Sequence, residues 1–239
     1  MGVISKINAN VFPGESQRPC YLAAVNSHGV KSTPSKPFQA IHAGIGKVTV
    51  GFDPSSNVPD ARKGNGQGTY LLDKIVRAEN LVATEVDAKE LLHLQLEKLI
   101  VNSIINPLTT VLDCENGALF KTEDLRFVIR KLAEEAVEVI NGLPGLRPED
   151  RFDIERVIDY VNLVGHHTSS NTSSMLQDSR AGRETEIDYI NGWIIDKGKE
   201  MGKEVGHHKL LMRLVNDGRK LSFSDISTIL GEPSAGALA

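Results

Sequence analysis

From about residue 70 onward, the apolar residues of this chain return at every third or fourth position. They do so through 70–83, 88–112, 122–141, 149–165, 186–202 and 207–217. That spacing matches the α-helix, whereas side chains on a strand alternate between faces. Most of the chain is therefore committed to packed helices. Helix starts are marked as well. Thr122 precedes Glu123 and Asp124, carboxylates favoured in a first turn. Ser174-Met-Leu-Gln177 and Thr185-Glu-Ile-Asp188 have capping-box spacing, which makes Ser174 and Thr185 predicted N-caps. Gly142-Leu-Pro-Gly145 separates two helices.

Residues 1 to about 60 read differently. Val3–Val11 fits a helix ended by Pro13-Gly14. Cys20–Val25, Phe38–Ile41 and Lys47–Gly51 fit short strands. The stretch 53–69 holds Pro54, Pro59, Gly64, Gly66 and Gly68 and reads as a surface loop or linker. A few strands and one helix, about 55 residues, bury too little surface to stand alone. They read as the last part of an α/β domain whose beginning is absent. The expected organisation is a residual α/β portion with its linker over 1–69, a helical domain over 70–230 and a frayed tail over 231–239. The fold class is α+β, mainly α.

Composition removes several functions. With 27 Lys and Arg against 31 Asp and Glu, the net charge is −4. That offers no general attraction to nucleic acid or to an anionic membrane, and neither partner is expected. No apolar run reaches the roughly 18 residues of a membrane span. Cys20 and Cys114 are the only cysteines and form no disulfide framework. A reducing compartment, cytoplasmic or mitochondrial, is expected. Gly44-Ile-Gly46 and Gly64-Asn-Gly66-Gln-Gly68 both fail the G-x-G-x-x-G pattern. His166-His167 and His207-His208 are sequence neighbours that cannot share a helix face, so no metal site is expected from either pair.

The segment 97–108, EKLIVNSIINPL, raises a chemical question. It is mostly apolar, yet Lys98, Asn102 and Asn106 recur every fourth residue. Residues four apart share a helix face, so an ammonium and two amides line one stripe. Lysine is rarely buried without a partner. The stripe is either the wet face of a surface helix or one wall of a half-buried cleft that takes an anionic or carbonyl-bearing ligand. Pro107 lacks an N–H and crowds the preceding turn, so a kink or helix end is predicted there. Glu186 falls at a helix start, where it is a fixed anion able to pair with a lysine.

Read together, KLIVNSIINPLTTVLDCENGAL (98–119) and TSSMLQDSRAGRETEIDYINGWII (172–195) closely resemble the two signature segments of ketopantoate reductases, or 2-dehydropantoate 2-reductases. The shared pattern is K-x-x-x-N-x-x-x-N-P-L-T, then N-G, S-S-M-x-x-D and T-E-I-D-Y-x-N-G. NSHGV (26–30) and HAGIGKVTVG (42–51) look like the family's late nucleotide-domain strands, in a style most similar to fungal members.

The resemblance implies a Rossmann domain followed by an all-helical domain of the 6-phosphogluconate dehydrogenase C-terminal-like type. It implies reduction of 2-dehydropantoate to pantoate with NADPH, on the route to pantothenate and coenzyme A. Lys98 matches the catalytic lysine. Asn102, Asn106, Asn116 and Ser174 match substrate-binding positions, with Asn171 as support. Glu186 matches the acidic residue that meets the cofactor side and helps to position the lysine. Val30 falls where a backbone group touches the cofactor. A homodimer is among the assemblies the resemblance allows.

One departure is large. The family's G-x-G-x-x-G loop is not in this sequence, and Met1-Gly2 resembles the last half of the family's N-G-M-G. The chain is expected to begin inside the nucleotide domain, with roughly the first hundred family residues absent. The alternatives are a non-catalytic binding or regulatory protein on the same helical domain, as in a mitochondrial translation activator related to this fold, and a short dimerisation partner for a full-length subunit. Retention of both Lys98 and Glu186 favours the enzyme.

Overall fold

The computed structural model describes residues 1–32, 38–53 and 67–231. The chain forms two compact units, Gly2–Gln95 and Leu96–Ala239 with Met1. Each is described by itself. Most of the expected linker and the expected tail lie outside the described residues.

The first unit begins with α1 (Val3–Asn10), followed by β1 (Leu22–Asn26), β2 (Gly29–Ser32), β3 (Ala40–Gly44), β4 (Val48–Phe52), α2 (Gln67–Val76) and β5 (Ala83–Glu85). The strands form two sheets. One has the order β1-β4-β5, with β1 antiparallel and β5 parallel to β4. The other is the β2–β3 hairpin. Val48, Val50 and Leu72 form the buried centre, with Leu22, Phe52, Ile75 and Ala83 packed on it. The helix expected over 70–83 stops at Val76, and Ala83–Glu85 is a strand instead. Three residues are too few to show a period; pairing with β4 decides their conformation.

The second unit is helical. It contains most of α3 (Ala88–Leu112), then α4 (Glu123–Asn141), α5 (Ile154–His167), α6 (Ser174–Arg180), α7 (Ile187–Glu200), α8 (Gly206–Asn216) and α9 (Phe223–Gly231). From Leu99 to Leu112, α3 is buried nearly all round, as a central helix must be. It ends at Asp113, which takes the left-handed φ of 49°. The Cys114 N–H then reaches back to Thr109 O at 3.2 Å, as the 6→1 bond of a Schellman end requires.

Pro107 does not end α3, so of the expected kink or helix end the end is corrected: the helix runs on to Leu112. The donor missing from its ring is supplied from elsewhere: Asn191 Nδ2 donates to Ser103 O at 2.9 Å. A second difference is α9, which sequence periodicity did not reach. Its start is nonetheless written locally. Ser222 N donates to Asp225 Oδ2 and Asp225 N donates to Ser222 Oγ, both at 3.2 Å. Ile226 and Leu230 of α9 are buried, and α9 packs on α4. Among the described residues, no helix is long and apolar enough to cross a membrane.

Candidate functional site

The stripe on α3 is the starting point. Lys98, Asn102 and Asn106 are offset by about 40° per step around the helix, and their surroundings change in step. Lys98 is exposed, Asn102 half-buried and Asn106 buried. The stripe turns from solvent into the helical unit, so the wet-face reading accounts for its first residue and not for its last. Among the described residues, no hydrogen bond engages the side-chain amide of Asn102 or Asn106.

Lys98 keeps exposed surface, but the protein around its amine removes enough water to lower the pKa below the usual 10.5. The Glu186 carboxylate pushes back against that shift. Burial favours the neutral amine and the carboxylate favours the ammonium, which brings the group closer to neutral pH as a proton donor. Glu186 itself occupies the N-cap of α7, and its side chain makes no cap bond. The predicted cap at Thr185 is therefore corrected by one residue. The carboxylate, not engaged in capping, remains available to Lys98.

Asn116 opens a 3-10 turn, Asn116–Phe120, and is buried. Its N–H donates to Asn171 O at 3.0 Å, and the next amide, Gly117 N–H, donates to Ser169 O at 2.9 Å. A Cβ on Gly117 would lie 2.7 Å from Ser169 Cβ, so this approach needs glycine. The orientation of the Asn116 amide is fixed by its neighbour. Thr168 Oγ1 donates to Val164 O at 2.7 Å and so can only accept from Asn116 Nδ2, at 2.9 Å. Asn116 Oδ1 is then a buried acceptor with no partner among the described residues, suited to a donor from a ligand.

Ser174 is the first residue of α6 and is exposed, while the N-cap is Ser173. This corrects the predicted cap, and the reason is tertiary. Ser173 Oγ lies 2.7 Å from Thr109 Oγ1 on α3 and accepts Leu176 N–H at 3.2 Å. The buried hydroxyl pair sets the register of α6 behind the amide stripe. Val30 belongs to the other unit. It lies on β2 opposite His42 and is 59% exposed. Nearby, His28 Nδ1 accepts Gly46 N–H at 3.0 Å, and His28 Nε2 reaches Leu81 O at 2.8 Å.

Three residues escaped sequence reasoning. Asn191 is fully buried in α7, His208 is fully buried in α8, and Glu135 of α4 lies beside them. Glu135 accepts His207 N–H at 2.9 Å, His207 Nδ1 at 2.6 Å and His208 N–H at 3.1 Å. It thereby caps α8, whose own N-cap residue, Val205, offers no side-chain acceptor. The visible signal for Asn191 was Pro107: a proline inside a buried helix demands a substitute donor.

The family profile described as "Ketopantoate reductase PanE/ApbA C terminal" matches residues 90–219. The chain belongs to the ketopantoate reductase family. A probable 2-dehydropantoate 2-reductase of Schizosaccharomyces pombe is 30% identical, over 90% of this chain and 63% of that relative. The ketoisovalerate reductase BEA2 of Gibberella fujikuroi is also 30% identical, over 82% of this chain and 51% of that protein. The fold is similar to that of a probable 2-dehydropantoate 2-reductase from Bacillus subtilis, with a TM-score of 0.65 and 24% identity, covering 84% of this chain and 62% of the other. Like its family, the chain places a mainly helical domain after a small mixed sheet. It spans between about half and two thirds of the length of these relatives.

A ketopantoate reductase fold implies a nicotinamide cofactor, and the residues present fit it only in part. A pyrophosphate is ordinarily held by a glycine-rich turn between a strand and a helix start. Among the described residues no such turn follows a strand: β1 leads into β2, and β4 into residues outside the description. The described residues thus offer no phosphate cradle of that kind.

The buried network makes the helical unit acid-sensitive. Burial lowers the His208 pKa below 6.5, against the attraction of Glu135. Unfolded His208 takes up a proton near 6.5 while the folded residue stays neutral, so this stability is lost as pH falls below that value. Burial would raise the Glu135 carboxyl, but its bonds from His207 and His208 hold it below 4.5. Its contribution is present above 4.5 and is lost as pH falls further. The expected result is a urea midpoint that drops between pH 7 and 5. In His208→Gln, which carries no titrating ring, that drop should shrink; an equal drop in both proteins would contradict the assignment.

Proposed function

We propose that this chain carries the substrate-binding and proton-donating part of an NADPH-dependent 2-dehydropantoate 2-reductase of the fungal type, on the route to pantothenate. The observation that carries the reading is that the Glu186 carboxylate acts on the Lys98 amine, at the head of a stripe whose amides make no hydrogen bond among the described residues. Reduction of a 2-oxo acid adds a hydride to C2 and a proton to the C2 oxygen. NADPH is the family's source of the hydride. The Lys98 ammonium donates the proton as negative charge develops on the oxygen, becomes a neutral amine and regains a proton from solvent. Its lowered pKa assists the transfer, and Glu186 keeps the ammonium populated before it. Asn102 and Asn106 are the amides that hold the oxo-acid end.

The relatives leave two substrates of one class, 2-dehydropantoate and 2-ketoisovalerate. They differ by a hydroxymethyl group. Asn116 Oδ1 supports the first, because a buried acceptor without a partner suits a ligand hydroxyl, and a site built for a hydroxyl discriminates strongly against a ligand lacking it.

A 15N NMR titration of the chain with each oxo acid tests the reading. The side-chain amide signals of Asn102, Asn106 and Asn116 are expected to move with 2-dehydropantoate, and more weakly with 2-ketoisovalerate. Movement confined to other residues would overturn it.

A further inference from the structure

Pro107 leaves Ser103 O without its helical donor, at a residue that is fully buried. Asn191 Nδ2 fills that place at 2.9 Å. The same nitrogen lies 2.9 Å from His208 Nδ1, and His208 Nε2 lies 3.0 Å from Leu132 O. A carbonyl can only accept, so Nε2 carries the ring proton and Nδ1 is the acceptor. Both Asn191 N–H bonds are thus engaged, and the amide cannot turn over without setting its oxygen against a carbonyl and a ring lone pair. Asn191 Oδ1 is buried without a partner among the described residues.

The position of this clamp matters. Ser103 lies five residues after Lys98 on α3, and Asn191 lies five residues after Glu186, at the start of α7. Five helical residues span about 7.5 Å. The clamp therefore ties α7 to α3 a little more than one helical turn beyond Lys98 on α3 and beyond Glu186 at the start of α7. Lys98 and Glu186 are both exposed. The clamp is buried and has one permitted orientation.

We propose that Asn191 is a positioning residue for the Lys98–Glu186 pair, its amide replacing the backbone donor lost at Pro107 and holding α7 in register on α3. What the pair does rests on the reductase reading; the clamp does not.

The test is a double-mutant cycle in the whole chain, using Asn191→Ala, Pro107→Ala and both together. Pro107→Ala restores a backbone N–H to Ser103 O, so it should make Asn191 partly dispensable. Asn191→Ala alone is expected to raise the unfolding equilibrium constant about tenfold or more, and by about threefold or less in the Pro107→Ala background. The second readout is the titration of the Lys98 amine, followed by NMR after 13C-methylation of the lysines. It is expected to shift in Asn191→Ala and to return toward the parent curve in the double variant. If Asn191→Ala does not fold, a folded double variant supports the clamp and an unfolded one contradicts it. Additive stability effects would overturn the proposal, as would a Lys98 titration that stays unmoved when Asn191 is removed. Neither readout measures turnover, so failure of the reductase reading alone would leave both results intact.

Discussion

Replacing Lys98 by alanine is expected to lower kcat for 2-dehydropantoate by a factor of about 10² to 10⁴, the range set by loss of a general acid. The assay requires this chain joined to a dinucleotide-binding half that carries a G-x-G-x-x-G loop. The effect is expected mainly in kcat, because the proton moves in the transition state and the amides of the stripe remain to hold the substrate. Lys98→Arg should be nearly as slow. Arginine keeps the charge but does not release a proton near neutral pH. Lys209→Ala, an exposed lysine on α8 beside Glu204, is the control and should leave kcat unchanged. Loss of KM alone in Lys98→Ala would assign the lysine to binding and not to proton transfer.

The largest expected structural effect is at Gly165. A Cβ there would lie 2.0 Å from Phe120 Cε2 and 2.2 Å from Cζ. Phe120 is buried at the end of the turn that begins with Asn116, so its ring has little room to move. Gly165→Ala must push the turn away from α5 or displace the ring. Overpacking of this kind costs about 3 kcal/mol at its usual upper end. For a domain of this size that corresponds to a fall in melting temperature of roughly 10 °C. The same wedge should disturb the bonds from Asn116 N–H and Gly117 N–H to the 169–171 segment. Gly206→Ala serves as the comparison: it is the first residue of α8, with nothing among the described residues within 4 Å of an added Cβ. It should be neutral or slightly stabilising.

How much of this could be read from the sequence varied with the physical origin of each feature. The long helices were legible because burial against one core imposes a 3.6-residue period, and α3 runs over the predicted 88–112. Thr122 was legible as a cap because the bond it makes, to Leu125 N–H, is local. Thr185 was misassigned by one residue at a helix start that no side chain caps, and Ser174 was misassigned by one residue because the winning contact is not local. Ser173 is chosen by Thr109, which is 64 positions away. The outcome at Pro107 was illegible for the same reason, since its substitute donor comes from α7. β5 has three residues and exists only through its neighbour β4. At the site, the Lys98–Asn102–Asn106 stripe followed from helix spacing alone. Its tilt from solvent into the protein did not, because burial is a property of what packs around α3.

In the proposed reaction this chain supplies the proton and the substrate grip for reduction of a 2-oxo acid. The most direct measurement is 2-dehydropantoate-dependent oxidation of NADPH by the chain joined to a nucleotide-binding half, with 2-ketoisovalerate run beside it. The expected result is turnover with both, a higher kcat/KM for 2-dehydropantoate, and little oxidation when the 2-oxo acid is omitted. Turnover that does not depend on either oxo acid, or none at all from a folded protein that binds NADPH, would rule out this role for the chain.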